Sequence, residues 1–219
     1  MKTTLDIATW NRREHFAFFM GMDEPFHGLI VNVDCTAAYA ACKRQGHSFF
    51  MTYLHKILSA INATPALRLR LQARGDTFEV VRFAAIHASA TIARSDHTFG
   101  FCEIEFNPDF EPFCKRAKPE IERVKQGTGL GWQNAAQRDD VVHFSILPNV
   151  SFTGLTHARQ HGTQDSATKI TVGKFFVEHG RMKLPLAIFA HHALADGHDV
   201  GLFLQTLQAL LETPLRIEV

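Results

Sequence analysis

The sequence predicts an α/β two-layer sandwich, one mixed β-sheet with packed helices, built as a single domain over residues 1 to 219. Three observations carry this. Short apolar runs with period-two alternation are interspersed irregularly with stretches of helical periodicity, which suits a mixed sheet better than a doubly wound parallel one. Residues 67 to 71 and 77 to 82 alternate on either side of Arg74-Gly75-Asp76, the pattern of a β-hairpin. No repeat, low-complexity linker or Pro/Gly/Ser hinge divides the chain, and 46% hydrophobic with 21% charged residues is enough to bury a sizeable core.

The elements follow in order. Residues 3 to 8 suit a short strand. Trp10, Arg13, Phe16 and Met20 then fall at helical spacing, and Gly21 provides a stop. Residues 28 to 35, rich in Leu, Ile and Val, read as a strand. Thr36 is expected to cap an alanine-rich helix reaching about Arg44. From 48 to 62 a second helix stacks Phe49, Tyr53, Ile57 and Ile61 at four-residue intervals, and Thr64-Pro65 ends it. Residues 84 to 93 and 99 to 106 read as strands. Residues 108 to 125 read as an exposed charged helix carrying Phe110, Phe113 and Ile121, and 127 to 137 as a surface loop. Residues 141 to 148 suit a strand closed by proline, 153 to 166 a loop, and 169 to 178 a strand that turns through His179-Gly180-Arg181 into the next one. A helix over 199 to 212 places Val200, Phe203, Leu204, Leu207, Leu210 and Leu211 along one face.

Charge and composition narrow the function classes. With 23 basic against 22 acidic residues there is no global field to attract nucleic acid. No stretch approaches the roughly 20 apolar residues that cross a bilayer, so no membrane partner is expected. The start, Met1-Lys-Thr-Thr-Leu-Asp6, lacks the apolar core of a signal peptide. Cys35, Cys42, Cys102 and Cys114 have neither CxxC spacing nor scaffold density, so a cytoplasmic chain with reduced thiols is expected. The Arg-Gly-Asp tripeptide is then a turn and not an adhesion motif. Nineteen Phe against two Trp and two Tyr imply an aromatic core, an apolar ligand pocket, or both.

Chemistry concentrates in residues 183 to 199, where the apolar run Leu184-Pro-Leu-Ala-Ile-Phe-Ala190 leads into His191-His192, then Asp196-Gly197 and the last helix. A buried strand here delivers imidazoles to its end just as the backbone reverses. Adjacent side chains on a regular strand point to opposite faces, so only one histidine reaches a given site and the other is structural. A neutral imidazole whose tautomer is held is the natural general base at neutral pH. A hydrogen-bonded core pair, a metal site using His191, His192 and His198, and a plain Asp-Gly turn are the competing readings. Opposite faces and the lack of an acidic or Cys partner weigh against metal.

The whole pattern His-His-Ala-Leu-Ala-Asp-Gly-His, at the end of Pro185 to Ala190 and before an amphipathic helix, resembles the chloramphenicol acetyltransferase family of the CoA-dependent acyltransferases, which bear an HHxxxDG signature. Trp10-Asn-Arg12-Arg13-Glu14-His15-Phe16, Phe144-Ser145-Ile-Leu-Pro148 with Val150-Ser-Phe152, and Thr171-Val-Gly-Lys174-Phe resemble the same family in the same order, so the resemblance runs essentially the full length. It implies a CoA-dependent acyltransferase-like fold and an acetyl-CoA-dependent O-acetyltransferase acting on chloramphenicol or another small hydroxylated acceptor, as in antibiotic resistance, without a metal. By the resemblance His192 is the general base, Ser145 donates to the oxyanion, and Thr171 supports the intermediate through a water. Asp196 pairs with Arg12 to support the site, and Lys174 contacts CoA. Phe18, Phe19, Phe99, Leu155 and His157 fall at acceptor-pocket positions. The resemblance also implies a homotrimer with active sites at subunit interfaces.

This chain departs from the family pattern mainly around the acceptor. Phe19 stands where a tyrosine is usual, and Leu155 and His157 replace a phenylalanine and an apolar residue. Asp23 and Pro25 lie in a stretch that is usually less acidic, Asn149 replaces a tryptophan, and Ser48 stands where a CoA-contacting lysine is common. The alternatives are therefore a different hydroxylated acceptor, or a non-catalytic homologue that binds an apolar ligand. A dehydrogenase-complex transacetylase core or a peptide-synthesis condensation domain is disfavoured, since the first carries a lipoyl domain and linkers and the second needs a much longer chain.

Overall fold

The computed structural model describes residues 1–75, 77–131, 138–159 and 165–213. The third residue of the Arg-Gly-Asp turn and most of the loop expected over 127 to 137 lie outside the described residues, as does part of the loop over 153 to 166.

In chain order the elements are β1 (Lys2–Leu5), α1 (Arg13–Met20), β2 (Phe26–Asp34), α2 (Thr36–Gln45), α3 (Phe49–Ala63), a 3-10 turn (Pro65–Arg68), β3 (Leu69–Arg74) and β4 (Thr77–Phe83). Then come β5 (His87–Ala93), β6 (Phe99–Ile104), α4 (Phe110–Gln126), β7 (Val141–Leu147), β8 (Lys169–Gly173), β9 (Phe176–Glu178), β10 (Arg181–His191) and α5 (Gly197–Glu212). The main sheet runs β2-β10-β8-β7-β5-β6, with β9 also paired to β10. It is mixed, as expected: β7 runs parallel to β5 and β8, and the other pairs are antiparallel. A smaller antiparallel sheet, β1-β4-β3, contains the expected hairpin. Among the described residues no helix is long and apolar enough to cross a membrane.

Strand alternation gives the main sheet two unlike faces. One set, Ala88, Ala90, Val142, Phe144, Ile170, Val172, Leu186 and Ile188, packs against α3, α4 and α5 in a core with Leu54, Ile57, Phe113, Phe203 and Leu207. The intervening residues, Ser89, Thr91, His143, Ser145, Lys169 and Thr171, point away from the helices. Polar side chains fill the strand positions that the core does not use, and this second face carries the site.

Several sequence expectations shift. Trp10 precedes α1 and packs with Phe16, Met20, Leu71, Val80 and Leu194 in a separate small core. Thr36 is the first residue of α2 and not its cap; its hydroxyl accepts from Met182 N–H (2.9 Å), while Asp34 accepts from Thr36 N–H (3.0 Å). Helix α4 is charged on one side only, because Phe110, Phe113, Cys114, Ala117, Ile121 and Val124 are buried. The strand expected from 67 to 71 begins at Leu69, after the 3-10 turn. The single strand expected over 169 to 178 is two, broken where Lys174 N–H donates to Val150 O (2.8 Å). A Cβ on Gly173 would lie 2.8 Å from that same Val150 oxygen, so glycine is what lets the loop close on the strand.

One buried cation joins the two sheets. Arg70 is 2% exposed, and its guanidinium donates to the carbonyls of Leu67 (3.0 Å), Leu69 (2.7 Å) and Val141 (2.6 Å). Three carbonyl partners replace much of the lost hydration, as a buried guanidinium requires.

Candidate active site

Strand β10 ends at His191, paired to Phe26, so the next residue is free of the sheet. His191 is 5% exposed; its ring meets Phe26 edge-on at 5.3 Å, and its Nδ1 accepts from Ala193 N–H (3.3 Å). Burial, with Arg159 nearby, pushes its pKa down to about 4 against the opposing pull of Asp165, so it is neutral at pH 7. The histidine expected to be structural is accordingly packed and hydrogen-bonded.

His192 sits differently. Its backbone N–H donates to Pro25 O (2.7 Å), and its ring stacks on Phe19 with centroids 3.7 Å apart and planes 7° from parallel. His27, on β2, lies against it at 4.1 Å. Nδ1 of His192 is buried without a hydrogen-bond partner among the described residues, which leaves the Nε2 edge to reach solvent. Burial, followed by the neighbouring His192, lowers the pKa of His27, and its Nε2–H donates to Ala195 O (3.1 Å).

The turn beyond is held by Asp196. One carboxylate oxygen accepts the N–H of His198 (2.9 Å) and of Asp199 (3.4 Å), and Asp199 in turn accepts the Asp196 N–H on its carboxylate (3.0 Å), a complete capping box at the start of α5. The other oxygen accepts from Arg12 Nη1, whose Nη2 also donates to His192 O (3.3 Å). Burial raises the Asp196 carboxyl, but the Arg12 and His198 bonds outweigh it and hold it below the usual carboxylate range. Arg12 and Asp196, 184 residues apart, are thus an ion pair that also grips the backbone of His192. His198 is exposed at the first turn of α5, away from any shared ligand arrangement with the other two histidines among the described residues.

Ser145 lies on the sheet face away from the helices, opposite Thr171 across the β7 and β8 pairing. It lines a cavity of about 400 Å³ with Phe99, Phe101, His157, Ser89, Thr91, His143 and Lys169. Thr171, 1% exposed, has its hydroxyl 3.4 Å from His157 Nε2, and the His157 ring meets Phe189 edge-on at 5.1 Å. The structure therefore brings Ser145, Thr171, His157 and Phe99 together. Phe19 sits instead against His192, and Phe18 beside it is 65% exposed, with ring centroids 5.1 Å apart. Neither these residues, nor Leu155, nor His192 lines the cavity.

Lys174 is exposed at the break between β8 and β9. Next to it Phe175 packs on Tyr39 (5.2 Å) and Phe49 (5.7 Å), a small aromatic platform beside an exposed ammonium. Ser48 serves the fold as the N-cap of α3, accepting from Met51 N–H. Pro25 matters through its backbone carbonyl, not its ring.

Sequence reasoning missed His27 and the polar residues of the cavity wall. Lys169, only 3% exposed, is ion-paired with Asp165 and donates to His143 Nδ1 (3.4 Å). The signal was present in strand alternation, since His143 and Ser145 share a face of β7, as Lys169 and Thr171 share one of β8. Which strands lie side by side is not written in local pattern.

Known proteins are similar to this chain in sequence and fold. The family model for chloramphenicol acetyltransferase matches residues 1–208. A chloramphenicol acetyltransferase of Escherichia coli is 28% identical over 94% of this chain and 92% of its own length. A solved chloramphenicol acetyltransferase superposes with a TM-score of 0.88 at 27% identity, covering 96% of this chain and all of that one (100%). The cubic core of the pyruvate dehydrogenase multienzyme complex, 17% identical with a TM-score of 0.64 over 91% of this chain and 86% of that one, shares the fold. With the signature histidines at the strand end and a family match running from the first residue into the last helix, the chain is an acyltransferase and belongs to the chloramphenicol acetyltransferase family.

Proposed function

We propose that the protein transfers the acetyl group of acetyl-CoA directly to a hydroxyl of a small acceptor, chloramphenicol or a similar hydroxylated molecule. His192 takes the proton of the acceptor hydroxyl as that oxygen attacks the thioester carbonyl. Ser145 donates to the oxyanion that develops, a type of stabilisation typically worth about 10²- to 10³-fold in rate. Thr171 supports the same intermediate through a water, and Lys174, with the aromatic platform of Phe175, Tyr39 and Phe49, takes part of the coenzyme. The observation that carries the reading is the fixing of His192: a ring stacked 3.7 Å from Phe19, a backbone tied to Pro25 and Arg12, and one nitrogen left to act.

The chain works as a homotrimer in this reading, with Ser145 and its cavity facing His192 of a neighbouring subunit. Support comes from the separation of His192 from the cavity lining and from a site face that the protein's own helices leave uncovered. Closed cyclic symmetry satisfies such a contact at every interface. We also place the protein in the cytoplasm, on the ground that its four cysteines are buried as free thiols, with burial pushing Cys35 and Cys102 up to about 12.

The test is release of free thiol from acetyl-CoA with chloramphenicol and a panel of other alcohols as acceptors. Wild type should release CoA about 10²- to 10⁴-fold faster than His192→Ala with at least one acceptor. Equal rates for the two proteins across the whole panel would contradict the assignment.

A further inference from the structure

One wall of the cavity beside Ser145 is polar where a binder of aryl groups would be apolar. On three neighbouring strands the outward positions are Ser89 and Thr91 of β5, His143 and Ser145 of β7, and Lys169 of β8, and all of them line it. The register puts Ser89, His143 and Lys169 in one row across the sheet. Beside this row, on the same face of β6 where Phe101 pairs with Thr91, lie the rings of Phe99 and Phe101, set edge-on at 5.9 Å, with Phe99 47% exposed.

Lys169 sets one hydrogen-bonding role on this wall. Lys169 is desolvated but matched by Asp165, so its charge is answered within the protein. It donates to Nδ1 of His143, which leaves that ring presenting Nε2–H as a donor; desolvation of the ring in the cavity and the lysine together push its pKa down to about 4, so the ring is neutral at pH 7. The hydroxyls of Ser89, Thr91 and Ser145 can each donate or accept. A surface that mixes donors and acceptors, carries no uncompensated charge and is flanked on the same face by aromatic rings is complementary to a molecule with several hydroxyls beside a patch of C–H groups. An apolar ring placed there would leave these groups without partners, which disfavours it against an acceptor that can bond to them.

Resting on the acetyl-transfer reading above, we propose that the acceptor is a neutral, hydroxyl-rich molecule, a polyol or glycoside, whose non-reacting hydroxyls bond to Ser89, Thr91 and His143. The reaction balances without any further reactant. The acceptor oxygen forms a bond to the acetyl carbon, the C–S bond of acetyl-CoA breaks, and the hydroxyl proton passes through His192 to the departing sulfur, giving an acetate ester and CoA.

The experiment measures acetyl-CoA-dependent thiol release with methyl and p-nitrophenyl hexopyranosides, glycerol and sorbitol, each compared with chloramphenicol. At least one polyol or glycoside should exceed chloramphenicol in kcat/KM by about 10-fold or more, reflecting the wall groups that the aryl ring of chloramphenicol would leave unpaired. Thr91→Val and Ser89→Ala, which change side-chain size little, should each lower kcat/KM for that acceptor by roughly 3- to 10-fold, and by a smaller factor for chloramphenicol. Lys169→Met should release His143 and reverse part of the preference; if that variant does not fold, the two smaller substitutions decide. Preference for chloramphenicol over every polyol and glycoside, with turnover still lost in His192→Ala, overturns the polar acceptor and leaves acetyl transfer standing. No thiol release above His192→Ala for any acceptor overturns acetyl transfer itself, and the acceptor proposal with it.

Discussion

The end of β10 and the cavity beside Ser145 are built in opposite ways. At the strand end, His192 is held by near neighbours in the signature and by one distant segment: its ring lies on Phe19, its carbonyl accepts from Arg12, and Asp196 four residues on both caps α5 and pairs with that arginine. The cavity has no local motif. Its wall is one outward residue after another from β5, β7 and β8, brought together by register and distinguished from core only by facing away from the helices. In the proposed function the proton transfer belongs to the compact unit and acceptor choice to the dispersed one, an arrangement in which the second can change while the first stays intact.

That contrast can be broken at several points. Among three further substitutions the largest effect is expected in the cavity: Ser145→Ala should cost about 10²- to 10³-fold in kcat with little change in KM for acetyl-CoA, measured by steady-state thiol release. An equal loss through KM alone would make Ser145 a binding residue.

The next concerns His191. Its folded pKa of about 4 lies below the ordinary 6.5, so the unfolded chain binds a proton first as pH falls. The stability it carries is complete above pH 6.5 and is lost between pH 6.5 and 4, a change on the order of 3 kcal/mol. Denaturant melts across that range should show the slope in wild type and a shallower one in His191→Gln.

Asp196→Asn is expected to act less strongly. Asparagine still caps α5 but leaves Arg12 without a charge partner, so stability at pH 7 should fall by about 1–2 kcal/mol. Because the Asp196 carboxyl is held below its ordinary value, this difference should persist above the usual carboxylate pKa and fade as pH drops through the folded one. Activity should fall with it, since Arg12 would no longer be oriented on the His192 carbonyl.

Legibility in the sequence follows the same division. The C-terminal helix, the hairpin and β10 are readable because period and turn chemistry are local, and the Arg12–Asp196 pair is reachable through family resemblance. Trp10 reads as helical because its spacing fits a helix, while its packing partners, Leu71, Val80 and Leu194, come from later in the chain. The break after Gly173 is invisible because Val150, which causes it, lies on the far side of a long loop. Thr36 looks like a cap by its type, yet Asp34 and Met182 are its partners. Lys169 and His143 pass as ordinary strand residues, since only the strand order sets them side by side.

Whether the two regions are halves of one site, completed between subunits, can be tested by mixing two inactive variants. His192→Ala subunits retain Ser145, and Ser145→Ala subunits retain His192. Co-expressed or refolded together in equal amounts, they should form trimers in which about a quarter of the interfaces pair an intact His192 with an intact Ser145, restoring roughly that fraction of wild-type turnover. A mixture no more active than the sum of the separate variants, with mixed trimers verified by mass, would place both groups of one site on the same chain and contradict the shared-site account.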